Sequence, residues 1–353
     1  MATKTFPPLT MRAWQHTSTT GGLEKTLKLN PSAPVPVPKP NQHLVQIIAT
    51  ALNPIDYKPA EVAILRRLLY PKVATPGLDY AGCIVTPATD SSFKAGQLVY
   101  GIVAKAPFAG GALAEFALAD SESTLEVPDG VNPIDAASIG VAGASAYQSI
   151  IPYVKKGDKI FINGGSGGCG VFGIQIAKAV GCFVATSCST ANVELCRSLG
   201  ADEVVDYKKS NIVEALKALG LKFDHIVDNV GSDMELYWQC HEFTKPEAAY
   251  VMVAGGPGLA SAFERLKAKR MPEFLGGGKR KYMGFWAEAR LDDLEQVMTW
   301  TKEGKVRAVI DEKFPFEEAP KAFAKLKTGR ARGKIIVDVA SEKYKESVGG
   351  VVV

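Results

Sequence analysis

Two rhythms of apolar and polar positions divide this chain. In residues 1–126, short apolar runs at 44–51, 82–85 and 98–103 lie between stretches rich in proline and glycine. Runs of that length, bounded by turn residues, predict a lobe built mainly of β-strands. Within residues 31–40, five of the ten positions are proline. Proline has no N–H for a helix interior or a central strand, so an extended surface connector is expected there.

From residue 127 the rhythm becomes apolar strand, turn and helix, repeated. Strands are predicted at 160–162, 183–186, 203–205, 225–228, 250–253 and 281–285, with helices at 171–180, 192–199, 212–219, 234–241 and 259–269. Strands alternating with helices in this way imply βαβ crossovers and one parallel sheet, the layout of a doubly wound dinucleotide-binding fold. Residues 289–353 hold two amphipathic helices, 291–303 and 317–327, and a strand at 334–337. They are too few to form a core alone, so they are expected to return to the N-terminal lobe. The predicted fold is α/β: a Rossmann doubly wound parallel sheet at 127–288, inserted into a mainly β substrate lobe made of 1–126 and 289–353.

Composition narrows the function without deciding it. At 353 residues, 46% hydrophobic and 22% charged, the chain has the make-up of a two-domain globular enzyme. Its formal charge of +4 arises from 41 basic and 37 acidic residues spread along the sequence. No nucleic-acid or membrane partner is expected, since there is no concentrated basic field and no apolar run long enough to span a bilayer. The cysteines, at 83, 169, 182, 188, 196 and 240, lack the close pairs of a structural zinc site or a disulfide scaffold. Reduced thiols and a cytoplasmic location are therefore expected, and residues 1–10 show neither the basic start nor the apolar stretch of a secretory signal.

Residues 164–170 read G-G-S-G-G-C-G. Gly165, Gly167 and Gly170 satisfy G-x-G-x-x-G, with Ser166, Gly168 and Cys169 between them. The motif follows a predicted strand and opens a predicted helix, the context in which backbone N–H groups and the helix dipole can hold a pyrophosphate. An NAD site of this kind usually has Asp or Glu at the end of the second strand, on the ribose 2′-hydroxyl. Residues 185–189 contain none. Without that carboxylate to repel a 2′-phosphate, and with hydroxyls on Ser187, Ser189 and Tyr207, NADP(H) is the expected cofactor. The alternative for these hydroxyls is a plain role in turns and caps.

Several further segments carry a resemblance when taken in order. They are N-P-I-D-Y-K at 53–58, P-G-L-D-Y-A-G at 76–82, G-A-L-A-E-F at 111–116, A-S-A-Y-Q at 144–148, I-Q-I-A-K at 174–178, G-A-D at 200–202 and G-R-A-R-G-K at 329–334. With the glycine loop, they make residues 12–338 similar to the medium-chain dehydrogenase/reductase superfamily, and above all to its zinc-free quinone oxidoreductases and enoyl reductases. The resemblance implies a GroES-like substrate lobe around the Rossmann domain. Where zinc-dependent members carry a catalytic Cys and His, this chain has Asn53 and Leu78, so no metal is expected. By the same resemblance, the nicotinamide would lie in the cleft between lobes. It would be touched by Asn53, Ser145, the turn with Asn229 and Val230, the segment with Ala254 and Gly255, and Lys334. One departure is Asn192, where relatives often carry a Lys toward the 2′-phosphate.

Chemistry then falls to the residues beside the first motif. Tyr57 and Lys58 are the candidates for polarising a substrate carbonyl or delivering a proton, because charge develops on the enolate oxygen after hydride addition. The alternative is a core tyrosine and a surface lysine. Histidines 16, 43, 225 and 241 are scattered, and His225, at the head of a strand, is expected to be structural. Cys169 at a helix start is either alkylation-sensitive or simply small. The amphipathic stretch 61–73 is either a lid or a surface helix, and Gly276, Gly277 and Gly278 suggest a mobile loop. The resemblance also implies a homodimer. The expected function is NADPH-dependent, zinc-independent reduction of an activated C=C bond in an enone, quinone or enoyl thioester. The alternatives are a trans-acting enoyl reductase of polyketide biosynthesis and a non-catalytic NADPH-binding protein.

Overall fold

The computed structural model describes residues 7–103, 111–231, 234–253 and 259–340. Its strands are β1 Thr10–Gln15, β2 Lys28–Pro34, β3 Gln42–Leu52, β4 Asp79–Thr86, β5 Leu98–Ile102, β6 Phe116–Asp120, β7 Thr124–Glu126, β8 Lys159–Asn163, β9 Phe183–Cys188, β10 Glu203–Asp206, β11 Phe223–Asp228, β12 Thr244–Met252, β13 Lys281–Gly284, β14 Ile310–Pro315 and β15 Lys334–Asp338. The helices are α1 Leu23–Thr26, α2 Lys58–Glu61, α3 Ala63–Leu69, α4 Pro133–Ile150, α5 Gly168–Val180, α6 Val193–Ser198, α7 Ile212–Ala218, α8 Glu235–Gln239, α9 Leu259–Arg270, α10 Leu291–Lys302 and α11 Ala319–Lys327. The chain divides into two compact units, one of residues 1–142, 289–302 and 310–353, the other of 143–288 and 303–309. The division falls inside α4, later than residue 126.

The first unit is mainly β. One sheet runs β14-β15-β3-β4-β5-β7, with β6 also on β3, and β1 and β2 form a separate ribbon. β3 reads H-L-V-Q-I-I-A-T-A-L after its first residue, and it is buried almost throughout. Its side chains alternate between faces, so Val45 and Ile47 enter a core with Tyr80, Phe323 and Ile335, whereas Leu44 joins Met11 and Phe116. A strand from the C-terminal segment enters this sheet: β15 pairs antiparallel with β3 from Ile335–Leu52 to Asp338–Ala49. β14 was not legible in advance because its I-D-E-K-F-P sequence lies at the sheet edge, where charge is favoured. Pro31 and Pro34 fall within β2, which among the described residues pairs only with β1, so the proline run begins as an edge strand before the connector.

The second unit is a six-stranded parallel sheet in the order β10-β9-β8-β11-β12-β13. Numbered from β8, that order is 3-2-1-4-5-6, with its switch point between β8 and β11. Phe161, Ala185, Ile226 and Tyr250 bury one face against α7 and α8 residues such as Leu216 and Tyr237. α5 is buried from Gly170 to Ala177 and ends at Gly181, whose φ of 93° gives the left-handed cap that stops the helix. His225 is structural as expected: it stacks on Tyr153 at 4.8 Å, its ring nitrogens face the Ser149 and Ala249 carbonyls, and burial pushes its pKa down to about 4.

Two stretches differ from the sequence reading. α4 is an 18-residue helix that periodicity did not reveal, because P-I-D-A-A-S-I-G-V-A-G-A-S-A-Y-Q-S-I is small and apolar on nearly every face. The stretch 61–73 is not one amphipathic helix: the extended backbone of Val62 separates α2 from α3, and α3 buries none of its residues. The glycines at 276–278 are closely placed, since a Cβ on Gly278 would lie 1.9 Å from the Tyr237 hydroxyl.

Candidate active site

In the second unit, the C-terminal ends of β8, β9 and β11 meet around the glycine loop. The three motif glycines have different reasons to be glycine. A Cβ on Gly165 would lie 2.0 Å from Thr186 Oγ1, and one on Gly170 would lie 2.2 Å from the Gly164 carbonyl oxygen. Among the described residues, a Cβ on Gly167 would meet only that oxygen, at 3.7 Å. The protein itself therefore leaves the space at Gly167 open, directly before α5, where first-turn N–H groups have no intrahelical acceptor. Positive φ is needed at Gly164 (82°), with Val230 packed against it, and Gly167 has an ordinary φ of −82°. An open, positively polarised cradle fits a pyrophosphate.

A buried network holds the loop in place. Ser187 Oγ donates to Asn163 Oδ1 (2.6 Å) and accepts from Gly164 N (3.0 Å). Asn163 Nδ2 donates to Asp228 Oδ1 (2.8 Å), which also accepts from Val230 N and Gly231 N, while Tyr250 donates to Asp228 Oδ2 (2.7 Å). Burial first, and then the Asp228 charge, hold the Tyr250 phenol well above its usual range. Ser187 is 1% exposed and both its hydrogen-bonding roles are filled, so it braces the loop. Asn163, Asp228 and Tyr250 were missed from sequence; a polar residue ending each of two adjacent predicted strands was the available signal.

The other hydroxyls gather further along. Asn192 Nδ2 donates to Ser166 Oγ (3.0 Å) and to Ser189 Oγ (3.2 Å), and its buried Oδ1 has no partner among the described residues. Tyr207 bonds the Cys188 carbonyl through its backbone N–H (3.1 Å), and its half-exposed ring has Lys208 Nζ 5.6 Å above it. Asp206, at the end of β10 opposite Cys188, is an acid that inspection of the second strand alone overlooked. It accepts from Lys208 N at 3.0 Å. Ser145 is buried in the second half of α4, Asn229 N bonds the Asn163 carbonyl, and Cys169 is half-buried in the first turn of α5. Ala254 and Gly255 lie outside the described residues.

In the first unit, Asn53, Asp79 and Lys334 form a buried cluster. Lys334 is 2% exposed; its Nζ donates to Asn53 Oδ1 and lies 3.3 Å from Asp79 Oδ2. Asn53 Nδ2 donates to Asp79 Oδ2 (2.9 Å) and to the Ala51 carbonyl (3.2 Å). Asp79 Oδ1 accepts from Val141 N (2.8 Å) at the point where Gly140 kinks α4, and a Cβ on Gly140 would lie 2.2 Å from that carboxylate oxygen. Burial pushes the Asp79 carboxyl up, and the Lys334 ammonium offsets this. The polar groups of Asn53 and Lys334 thus face each other and Asp79. Leu78, 8% exposed, offers no ligand atom, and among the described residues no three His, Cys, Asp or Glu side chains gather as a metal would require.

Asp56 lies beside this cluster, 5% exposed, with Oδ2 accepting from Asn53 N (2.6 Å). Burial raises its pKa to about 7, with a smaller push from Asp79 and relief from Lys334. The Tyr57 ring has Lys327 Nζ 5.5 Å above it, and that ammonium is paired to Glu24 (2.6 Å) and Glu61 (2.7 Å). Burial and Glu61 raise the phenol. Lys58 is exposed at the start of α2.

A parallel sheet of this order with a glycine cradle, joined to a β lobe that the C-terminus completes, defines a two-domain nicotinamide-type dehydrogenase or reductase. The chain belongs to the medium-chain dehydrogenase/reductase superfamily: residues 39–129 match the alcohol dehydrogenase GroES-like domain and residues 199–337 match the family described as zinc-binding dehydrogenase. It is 47% identical over 351 residues to trans-enoyl reductase pgmF of Aspergillus terreus, covering 94% of this chain and 97% of the relative. It is 32% identical over 338 residues to the chloroplast envelope quinone oxidoreductase homolog of Arabidopsis thaliana, covering 93% and 98%. Among solved structures, the quinone oxidoreductase from Coxiella burnetii superposes with a TM-score of 0.79 at 27% identity, covering 94% of this chain and 99% of that one.

Proposed function

We propose that the protein is an NADPH-dependent, zinc-independent reductase that transfers hydride to an activated C=C bond in an enone, quinone or enoyl thioester. The observation that carries this reading is the open space at Gly167 before α5, which the described residues leave unfilled. When bound, a nicotinamide cofactor supplies the hydride. The chain's part is to hold the pyrophosphate on residues 165–170, with the loop braced by Ser187 and Asn163, and to steady the flanking turn through Asn229 and Val230. Ser166, Ser189 and Tyr207 supply hydroxyls for a 2′-phosphate, and no carboxylate ends β9. Ser145, Ala254 and Gly255 are proposed to complete the nicotinamide side.

Zinc independence is supported by what occupies the ligand positions: an amide engaged by Asp79 and Lys334, and a leucine. Lacking a Lewis acid, the enzyme suits a substrate whose own conjugation accepts the hydride. Lys58, the exposed ammonium, is the proposed donor to the enolate oxygen, and Tyr57 shapes the wall beside it. The Aspergillus relative favours an enoyl thioester, presented in trans, as the natural acceptor. Following NADPH oxidation with a panel of enones, quinones and enoyl thioesters tests the reading. Turnover of an enoyl thioester, abolished in Lys58→Met, is expected. Tight NADPH binding without turnover of any acceptor would leave a binding protein instead.

A further inference from the structure

A second group of buried polar atoms in the first unit has no role in the chemistry above. His16, directly after β1, is 2% exposed and tied through its backbone to Ala74 in both directions (2.9 and 3.0 Å), yet its Nδ1 has no partner among the described residues. Asp56 Oδ1 is likewise buried and makes no hydrogen bond of ordinary geometry among the described residues, although the Leu78 N–H is near enough to help hold the carboxyl down. The Arg66 guanidinium is fixed by Nη1 on the Pro71 carbonyl (2.8 Å) and Nη2 on the Lys72 carbonyl (3.0 Å), which leaves its buried Nε without an acceptor. Tyr70 ties the three together: its ring lies 6.4 Å from the His16 ring and 5.5 Å from the Arg66 guanidinium, and its phenol feels the charge of Asp56. Buried polar atoms are nearly always satisfied, and each unsatisfied one carries a desolvation penalty. Several in one neighbourhood mark a place shaped for a polar group from outside the chain.

The chemistry of the three atoms selects that group. Arg66 Nε can only donate, whereas neutral His16 Nδ1 donates or accepts according to its tautomer. Burial, with help from Arg66, holds His16 neutral by lowering its pKa to about 4. A carboxylate on the ligand would face Asp56, and an ammonium would face Arg66. A carbonyl can only accept. A hydroxyl can accept from Arg66 Nε and from His16 Nδ1–H while giving its one hydrogen to Asp56 Oδ1, so it satisfies all three atoms when His16 carries its proton on Nδ1.

We propose that His16, Asp56 and Arg66 form a binding site for a hydroxyl group carried on the chain of the substrate, so that hydroxylated enoyl substrates are favoured over plain ones. This rests on the reading of the protein as an enoyl reductase. A site built to bond a hydroxyl leaves its own buried groups unpaired when that hydroxyl is missing, and the discrimination that follows is commonly tenfold or more.

The test uses trans-2-octenoyl N-acetylcysteamine thioester and its 4-, 5-, 6- and 7-hydroxy derivatives as substrates, with NADPH. In the wild type at least one hydroxylated thioester is expected to exceed the parent about tenfold in kcat/KM. That ratio should fall to about one in His16→Leu and survive in His16→Asn, whose amide can still give or take a hydrogen bond. The ratio is read within one preparation, so a reduced folded fraction does not disturb it. If His16→Leu does not fold, Arg66→Met on the exposed α3 gives the same reading. Reduction of the parent with no hydroxylated thioester favoured, or a preference unchanged in the variant, overturns this site alone. Failure to reduce any of the thioesters overturns the enoyl reductase reading and this site with it.

Discussion

Gly167 and Gly170 are three positions apart and differ in what a side chain would meet. At Gly170 a Cβ runs into the Gly164 backbone at 2.2 Å, so Gly170→Ala is expected to disrupt the loop and lower stability. At Gly167 the backbone is ordinary and the space is free, so Gly167→Val should fold, with a melting temperature near that of the wild type, and lose NADPH binding because the valine fills the pyrophosphate's place. Calorimetric titration beside a thermal melt separates the two; a folded Gly167→Val with unchanged affinity would remove the loop from the cofactor site. Asp56 gives a second expectation. Its folded pKa, about 7, is raised above the ordinary 3.8. Between those values the unfolded chain has released a proton that the folded one keeps, so stability falls as pH rises through that window and levels off above it. The slope approaches about 1.4 kcal/mol per pH unit for one proton. Asp56→Asn should flatten this part of the stability profile, measured by urea unfolding from pH 4 to 8, and an unchanged profile would show that another group carries it.

At the scale of elements, the turn after β9 is where the proposed preference for NADPH is tested. NADPH is expected to bind more tightly than NADH, because no carboxylate ends β9 and the hydroxyls of Ser166, Ser189 and Tyr207 lie nearby. Asn192, which bridges two of them, should sharpen the preference when replaced by lysine, since a charge-assisted bond to phosphate is roughly twice as strong as a neutral one. Fluorescence titration of both cofactors against wild type and Asn192→Lys checks this; equal or tighter NADH binding by the wild type would reverse the assignment. The same elements show what the sequence made legible. β8 to β13 were readable because buried parallel strands are unbroken apolar runs between helices of clear period. α4 was not, because a helix buried all round has no polar face, and β14 was not, because an edge strand tolerates charge. The glycine loop announced itself by spacing. The bracing of that loop by Asn163 and Asp228, and the pairing of Lys334 with Asp79, depend on contacts between residues 65 and 255 positions apart, which no local pattern encodes.

For the whole molecule, the metal question has a direct answer in solution. On the proposed reading, purified protein should contain no stoichiometric zinc and should keep any reductase activity after exhaustive chelation, because neither the Asn53 amide nor the Leu78 side chain is a zinc ligand. Elemental analysis showing one zinc per chain, with activity lost on its removal, would require another site. No helix among the described residues is long and apolar enough to cross a membrane.

The position of β15 between β14 and β3 also matters while the protein is being made. Asp79 is sealed in the interior of its lobe, but the cation that neutralises it is Lys334, 255 residues later. At ordinary rates of translation the ribosome needs roughly 13–50 s to cover that distance. Throughout that interval the N-terminal lobe has a sheet missing its inner strand and a carboxylate missing its counter-charge. The nucleotide-binding unit, wholly encoded between these two residues, can close meanwhile. Nascent chains arrested before residue 334 should therefore resist protease across 143–288 while residues 1–126 are still cut, and protection of the N-terminal lobe should appear only in chains long enough to expose Lys334 beyond the exit tunnel.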